Sequence, residues 1–318
     1  MTMLDVVVSR LTHEAEGVLG IELRAVADGT LPAFTAGSHV DLHLPGGLCR
    51  QYSITNAPTE EGRYCLGVGL AHESRGGSRH VHERLRAGDQ MRISTPRSLF
   101  SLNAEADEHV FVAGGIGITP IMSMIEACRA KEERWRLLYC VRTRARAAYL
   151  WRLAEHHARV QLHVDEEQGG PADVSGFVRS VSRTAHIYCC GPAPLMNAVG
   201  AAASAAEHPA KAVHFERFSA EGAPANANAD GAFRVTLKRK GGTFMVPAGR
   251  SILQALEDNG IALPCSCREG LCRTCEIPLI AGRADHRDFV LSDQERAANA
   301  SIIPCISRAL DDELVLDI

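Results

Sequence analysis

Four cysteines near the C-terminal end of this 318-residue chain have a spacing that few functions explain. Cys267, Cys272 and Cys275 share one short segment, and Cys305 follows after twenty-nine further residues. This C-x4-C-x2-C…C pattern is that of the thiolates around a plant-type [2Fe–2S] cluster. Two irons need four thiolates, and a loop supplying three of them must wrap tightly. Gly270 permits the turn, and backbone N–H groups in such a loop can point at the sulfurs and stabilise the reduced state. Zinc, the competing reading, usually takes two short C-x2–4-C or C/H arms, whereas here three ligands share one loop. Cys265 could replace Cys267 only by breaking the x4 spacing, so it is read as a non-ligand. Cys65, Cys128, Cys140 and Cys189 read as small core residues.

Three further motifs lie upstream. In Arg50-Gln51-Tyr52-Ser53 the arginine can neutralise a phosphate and the tyrosine ring can lie against a flavin face. The serine hydroxyl can bond a ring nitrogen. By itself Tyr52 reads equally well as packing. Ser74-Arg75-Gly76-Gly77-Ser78 stands just before a helical pattern, where bare N–H groups and an arginine make a phosphate cradle; a plain Gly-Gly turn with a serine cap is the alternative. Gly114-Gly115-Ile116-Gly117-Ile118-Thr119-Pro120 is a strand end, a glycine turn and a helix start, with proline suited to the first turn. It is not G-x-G-x-x-G, yet the same physics brings a pyrophosphate to backbone amides and a helix dipole. Cys189-Cys190-Gly191-Pro192 ends a later strand, where a cysteine can border a nicotinamide ring or be simply a buried thiol.

The elements that must hold these residues change rhythm along the chain. Up to about residue 103, short strands are expected at Asp5–Val8, Gly20–Arg24, His39–Leu44, Gln51–Thr55, Tyr64–Leu70 and Gln90–Ser94. Turn residues separate them and one helix, Ser78–Leu85, interrupts; this is the pattern of a closed antiparallel barrel. From about 108, strands at Val110–Ala113, Arg136–Val141, Val160–Val164, Ala185–Cys189 and Ala212–Phe215 alternate with helices near 119–130, 146–157 and 192–205, which predicts a doubly wound parallel sheet. Ser219–Gly231 lacks large apolar residues and reads as a linker. A hairpin (Phe233–Lys238, Thr243–Val246) and a helix, Ser251–Asn259, lead into the cysteines.

The composition excludes several classes. A hydrophobic share of 46% with 23% charged residues is that of a globular protein with real cores. A net charge of −4 argues against nucleic acid or an anionic membrane as partner. The start, MTMLDVVVSRLTHE, shows no secretory h-region, and the uncharged run Val110–Ile125 is too short and too glycine-rich to span a bilayer. A reducing compartment, the cytoplasm, is expected.

In this order the motifs resemble the phthalate dioxygenase reductase family, the reductase components of Rieske-type oxygenases, over essentially the whole chain. The resemblance implies a multidomain α+β protein: an FMN-binding β-barrel (1–103), a nicotinamide-binding α/β domain (104–225) and a C-terminal β-grasp ferredoxin domain (226–318). It implies FMN rather than FAD, because no adenine-binding stretch is visible. Carried over position by position, Arg50, Gln51, Arg75, Gly76, Gly77 and Ser78 hold the FMN phosphate side. Tyr52, Ser53, Gly67, Val68, Gly69 and Thr119 border the flavin, and Phe218 covers the ring. Gly114, Gly115, Gly117, Thr119, Cys190, Gly191 and Pro192 position the nicotinamide, with Ser53 and Cys190 at the reacting rings. Electrons would pass from NADH through FMN and the cluster to a terminal Rieske-type oxygenase, which holds the aromatic specificity; the reductase is expected to be a monomer. Two features depart from the family. Arg273 stands where the family has glycine between its second and third ligands. Arg142-Thr143-Arg144-Ala145-Arg146 offers arginines where NADH-specific relatives tend to be acidic, so Arg142 would suit the 2′-phosphate of NADPH, although family likeness favours NADH. A free-standing flavin reductase and a zinc-holding binding module are the competing functions.

Overall fold

Residues at two-residue spacing make the first sheet. Val6 and Val8, Ile21 and Leu23, Val40 and Leu42, and Tyr64, Leu66 and Val68 are all buried in one core, as alternating strands require when one face turns inward. The strands are β1 (Met3–Ala15), β2 (Val18–Ala25), β3 (Ser38–Leu44), β4 (Leu48–Ser53), β5 (Tyr64–Gly69), β6 (Gln90–Ser94) and the short β7 (Arg97–Ser98). They run in the order β4-β3-β6-β1-β2-β5, with β7 on β3. A bridge between Ile54 and Leu66 joins β5 back to the end of β4. That closure removes the open edges and makes a barrel. The computed structural model describes residues 2–26, 29–71, 74, 76–219 and 231–318. Arg75, most of the linker expected over Ser219–Gly231, and Asp28 lie outside the described residues.

The second sheet is parallel throughout: β8 (His109–Gly114), β9 (Trp135–Val141), β10 (Val160–Val164), β11 (His186–Cys190) and β12 (Val213–Glu216), in the order β10-β9-β8-β11-β12. Every residue of β8 is buried, as expected for a central strand covered on both faces. Phe111, Ile121, Tyr139 and Tyr188 fill one face, and Val110, Val112, Leu138, Ile187 and Val199 the other. The chain leaves β8 for β9 and β10 on one side, then returns to lay β11 on the other. The helix expected over 146–157 is instead one turn, Leu150–Leu153, followed by a tighter 3-10 stretch, Ala154–Arg159. Tyr149, at φ 62°, blocks an earlier helical start. A short helix that the sequence pattern did not suggest, Val174–Arg179, is capped by Asp173 accepting from Gly176 N at 2.8 Å.

The chain divides into two compact units, Met1–Glu216 and Arg217–Ile318; barrel and parallel sheet both belong to the first. The second holds β13 (Phe233–Leu237), β14 (Thr243–Val246), β15 (Ile277–Ala281), β16 (Ala284–Asp285), β17 (Ser301–Ile302), β18 (Arg308–Ala309) and β19 (Glu313–Leu316). Its main sheet has the order β14-β13-β19-β15-β17, with β13 and β19 parallel. The helix Ile252–Asp258 starts in a capping box between Ser251 and Gln254 and buries Ile252 and Leu256 in the unit's core. A mixed sheet embracing one helix is the β-grasp arrangement. Among the described residues, no helix is long and apolar enough to cross a membrane.

Candidate functional site

The point where the parallel sheet changes direction lies between β8 and β11, and such a crevice at the carboxyl ends of the strands is where ligands bind in open α/β sheets. Both sequence motifs converge there. Gly114 packs against Gly191, Pro192 and Leu195, and a Cβ on Gly117 would run into the Cys190 carbonyl. Only hydrogen at that position lets the turn close onto β11. Gly115 has φ 54°. Thr119, buried, donates from Oγ1 to the Ile116 carbonyl at 2.9 Å. Cys190 is 1% exposed, and burial pushes its thiol well above the ordinary range. On β12, Glu216 is the strand partner of Cys190. Its Oε2 is buried with no hydrogen-bond partner among the described residues, and burial raises the carboxyl to about 8.

The barrel presents its motif to the same region. Gly67 lies against the methyl of Thr119 and the hydroxyl of Tyr149, and Gly69 against Ile116. Two of the glycines expected to border the flavin are thus where β5 meets the glycine turn after β8; Val68 between them is fully buried, its carbonyl 2.9 Å from His82 Nε2. Along β4 the pleat separates Arg50 and Tyr52 from Gln51 and Ser53. The Arg50 side chain lies over Gly77, the first residue of the helix Gly77–Arg84, and Gly76 precedes it at φ 92°. A guanidinium over a helix N-terminus is a fitting site for a phosphate. Ser78 Oγ donates to Ser74 Oγ at 3.0 Å. Gln51 turns elsewhere, donating to Asp41 Oδ1 at 3.0 Å. Burial pushes the Tyr52 phenol up to about 12, and Ser53 is buried at the strand end. Of the arginines after β9, Arg144 is held by Glu167 at 2.6–2.7 Å, and Arg146 lies 3.8 Å from Glu16; Arg142 is exposed.

In the second unit the four cysteines come together. The Cys267 sulfur touches those of Cys272 and Cys305, and its thiol is held far below the ordinary range by both contacts, aided by the N–H groups of Glu269 and Leu271 at 3.3 and 3.4 Å. The Cys305 sulfur also touches Cys275. Cys265 touches Cys275 as well. Four converging sulfurs with backbone donors aimed at one of them suit a [2Fe–2S] cluster. Gly270 has φ 72°, and a Cβ there would sit 2.6 Å from Ile306 Cγ2. Arg273 takes φ 56°, a conformation that glycine adopts freely. Its guanidinium bonds Glu276 at 2.8 and 3.1 Å and Glu295 at 2.6 Å, and Glu295 completes the capping box of the helix Asp293–Ala298. Phe218 is half exposed at the start of this unit.

The family model described as 2Fe-2S iron-sulfur cluster binding domain matches residues 235–310, and that of the oxidoreductase NAD-binding domain matches 111–201. The solved structure of phthalate dioxygenase reductase is 36% identical, with a TM-score of 0.74 and coverage of 99% of this chain and 98% of that one. The chain belongs to the phthalate dioxygenase reductase family. Full-length relatives include the phenoxybenzoate dioxygenase subunit beta of Ectopseudomonas oleovorans, 42% identical over 100% of this chain and 98% of its own length. The vanillate O-demethylase oxidoreductase of Pseudomonas sp. strain HR199 is 39% identical over 99% and 100%. As a member of this family the chain is an NAD-binding, iron–sulfur oxidoreductase. Two residues of the reductase site escaped the sequence motifs. Tyr149 enters through a left-handed turn with no local signature. Glu216 has no local signature either, and only the pairing of β11 with β12 places it beside Cys190.

Proposed function

We propose that this chain is the reductase component of a Rieske-type aromatic oxygenase or O-demethylase system, taking electrons from NADH and delivering them singly to a terminal oxygenase. The convergence of Cys267, Cys272, Cys275 and Cys305 carries this reading, because a thiolate cluster is a one-electron carrier. FMN, held at its phosphate by Arg50 and the Gly76–Ser78 helix start, would supply the exchange between the nicotinamide's electron pair and single electrons. Arg75 and Gln51 belong to the proposed phosphate side, Tyr52, Ser53 and Gly67–Gly69 to the ring side, and Phe218 to the ring's cover. The remaining work is orientation. The Gly114–Gly117 turn offers backbone N–H groups to a pyrophosphate, and Thr119 anchors the helix start. Cys190, a neutral thiol, and Glu216, a carboxyl still protonated at neutral pH, make an uncharged wall that keeps water from the nicotinamide ring. NADH is the proposed donor, since Glu167 already takes the charge of Arg144 and Arg142 alone is a poor match for a 2′-phosphate. Domains of 1–103, 104–225 and 226–318 and a cytoplasmic monomer complete the proposal.

Reduction of cytochrome c by NADH tests the electron path. Cys305→Ser should abolish it while NADH still reduces the flavin. Undiminished cytochrome c reduction would instead favour a free-standing flavin reductase.

A further inference from the structure

At the end of the parallel sheet opposite the nicotinamide turn, three side chains of metal-ligating type converge. One atom each from His109, Cys128 and Glu133 lies within 4.8 Å of the others. None of them has a part in the redox site. His109 opens β8, Cys128 lies in the last turn of the helix Ile118–Ala130, and Glu133 stands in the turn that follows.

The backbone sets this arrangement. Glu133 N donates to the Cys128 carbonyl at 2.9 Å and Glu132 N to that of Arg129 at 3.1 Å. Glu132 takes φ 55°, so the helix ends in a Schellman-type closure that brings Glu133 back beside Cys128. His109 N donates to Arg134 O at 2.9 Å, which ties the strand to the same turn. His109 and Cys128 are buried, whereas the Glu133 side chain is 26% exposed and leaves a path to solvent.

The simplest alternative is a Glu133 carboxylate accepting from both the His109 ring and the Cys128 thiol. The histidine distance speaks against it. His109 Nε2 and Glu133 Oε2 are 3.3 Å apart, just beyond the 2.7–3.2 Å of an ordinary N–H···O bond. A tetrahedral zinc with Zn–N and Zn–O near 2.0–2.1 Å has an N···O edge of roughly 3.3 Å. Nδ1 of His109 is buried with no partner among the described residues, so the ring's orientation is set by Nε2 alone. Two cations lie close by: Lys131 Nζ is 3.7 Å from the other oxygen, Glu133 Oε1, and Arg159 donates to the Glu133 carbonyl at 3.3 Å.

We propose that His109, Cys128 and Glu133 form a zinc site at the foot of the parallel sheet, with the fourth position left to water. One imidazole, one thiolate and one carboxylate suit zinc, whereas magnesium and calcium require oxygen ligands. Binding zinc would displace the Cys128 proton to water, since the ligand form is the thiolate. The site clamps the end of the helix whose beginning, Ile118 and Thr119, supports the nicotinamide turn.

The test uses the full-length holoprotein with its iron–sulfur cluster loaded. It is equilibrated with zinc chloride, desalted over a weak chelator, and assayed for zinc and iron by mass spectrometry. Wild type should retain about one zinc per chain beside about two irons, and zinc should raise its melting temperature. Cys128→Ser and Glu133→Gln should each lose that zinc and the thermal shift with iron content unchanged. Glu133→Gln, at a partly exposed position, keeps the test open if the serine variant folds poorly. Zinc well below one per chain in wild type, or equal retention in Glu133→Gln, overturns the proposal.

Discussion

Replacing Arg273 separates two opposed effects in the cluster loop. Its left-handed backbone, φ 56°, costs a non-glycine residue about 1 kcal/mol. Against this, its guanidinium bonds Glu276 and Glu295 across side chains that are a quarter to two-fifths exposed. Pairs so exposed contribute about 0.5–1 kcal/mol each. Arg273→Ala keeps the strained backbone and loses both pairs, so it should destabilise the loop by about 1–2 kcal/mol. Arg273→Gly loses the same pairs but relieves the backbone, which leaves a net loss of at most about 1 kcal/mol. The assay is the rate at which cluster absorbance bleaches in moderate urea at low salt. If loss follows local opening, the alanine variant should bleach roughly 5- to 30-fold faster than wild type, and the glycine variant about fivefold slower than alanine. At 1 M salt, where the Debye length is about 3 Å, the gap between wild type and alanine should narrow. Equal bleaching of the glycine and alanine variants would refute the strain argument, and a neutral alanine variant would refute the tether.

Gly117→Ala should raise KM for NADH at least about fivefold, because overpacking by one methyl typically costs about 1–3 kcal/mol and here the methyl meets the Cys190 carbonyl. Cluster absorbance should be unchanged, and an unaltered KM would show that the turn has room to spare. Glu216→Gln should change how stability depends on pH. The native carboxyl titrates near 8 rather than at the usual 4.5, so the folded chain holds a proton that the unfolded chain releases. Stability from this group is therefore complete below pH 4.5 and falls as pH rises towards 8. Thermal midpoints of wild type should drop relative to Glu216→Gln across that window; parallel curves would place the carboxylate in solvent.

Local chemistry made much of the fold legible. Alternating apolar residues marked the barrel strands, and β6 and β10 were anticipated to the residue. The glycine turn after β8 and the cysteine spacing carry their physics within a few residues. What was not legible depends on contacts far apart in the chain. Leu150–Leu153 is apolar enough to suggest a long helix, yet Tyr149 turns left-handed and its hydroxyl lies against Gly67, some eighty residues away. The elements after the cluster include strands only two residues long, at Ala284–Asp285, Ser301–Ile302 and Arg308–Ala309. They are too short for periodicity to register and are held by long-range pairing alone. Arg273 was visible as an unusual residue, but its distant partner Glu295 emerges only once the helix Asp293–Ala298 is in place.

The seam between barrel and parallel sheet bears on how such reductases can be recombined. At Gly67 a strand of one sheet meets Thr119 and Tyr149 of the other with no side chain in between, and Gly69 meets Ile116 in the same way. A chimera joined near residue 103 would pair one parent's glycines with another parent's turn, and any larger residue at position 67 would prise the two sheets apart. A graft joined after Glu216, where the first compact unit ends, inherits both faces of that seam from one parent. For engineering, the flavin barrel and the nicotinamide sheet are therefore a single exchangeable cassette.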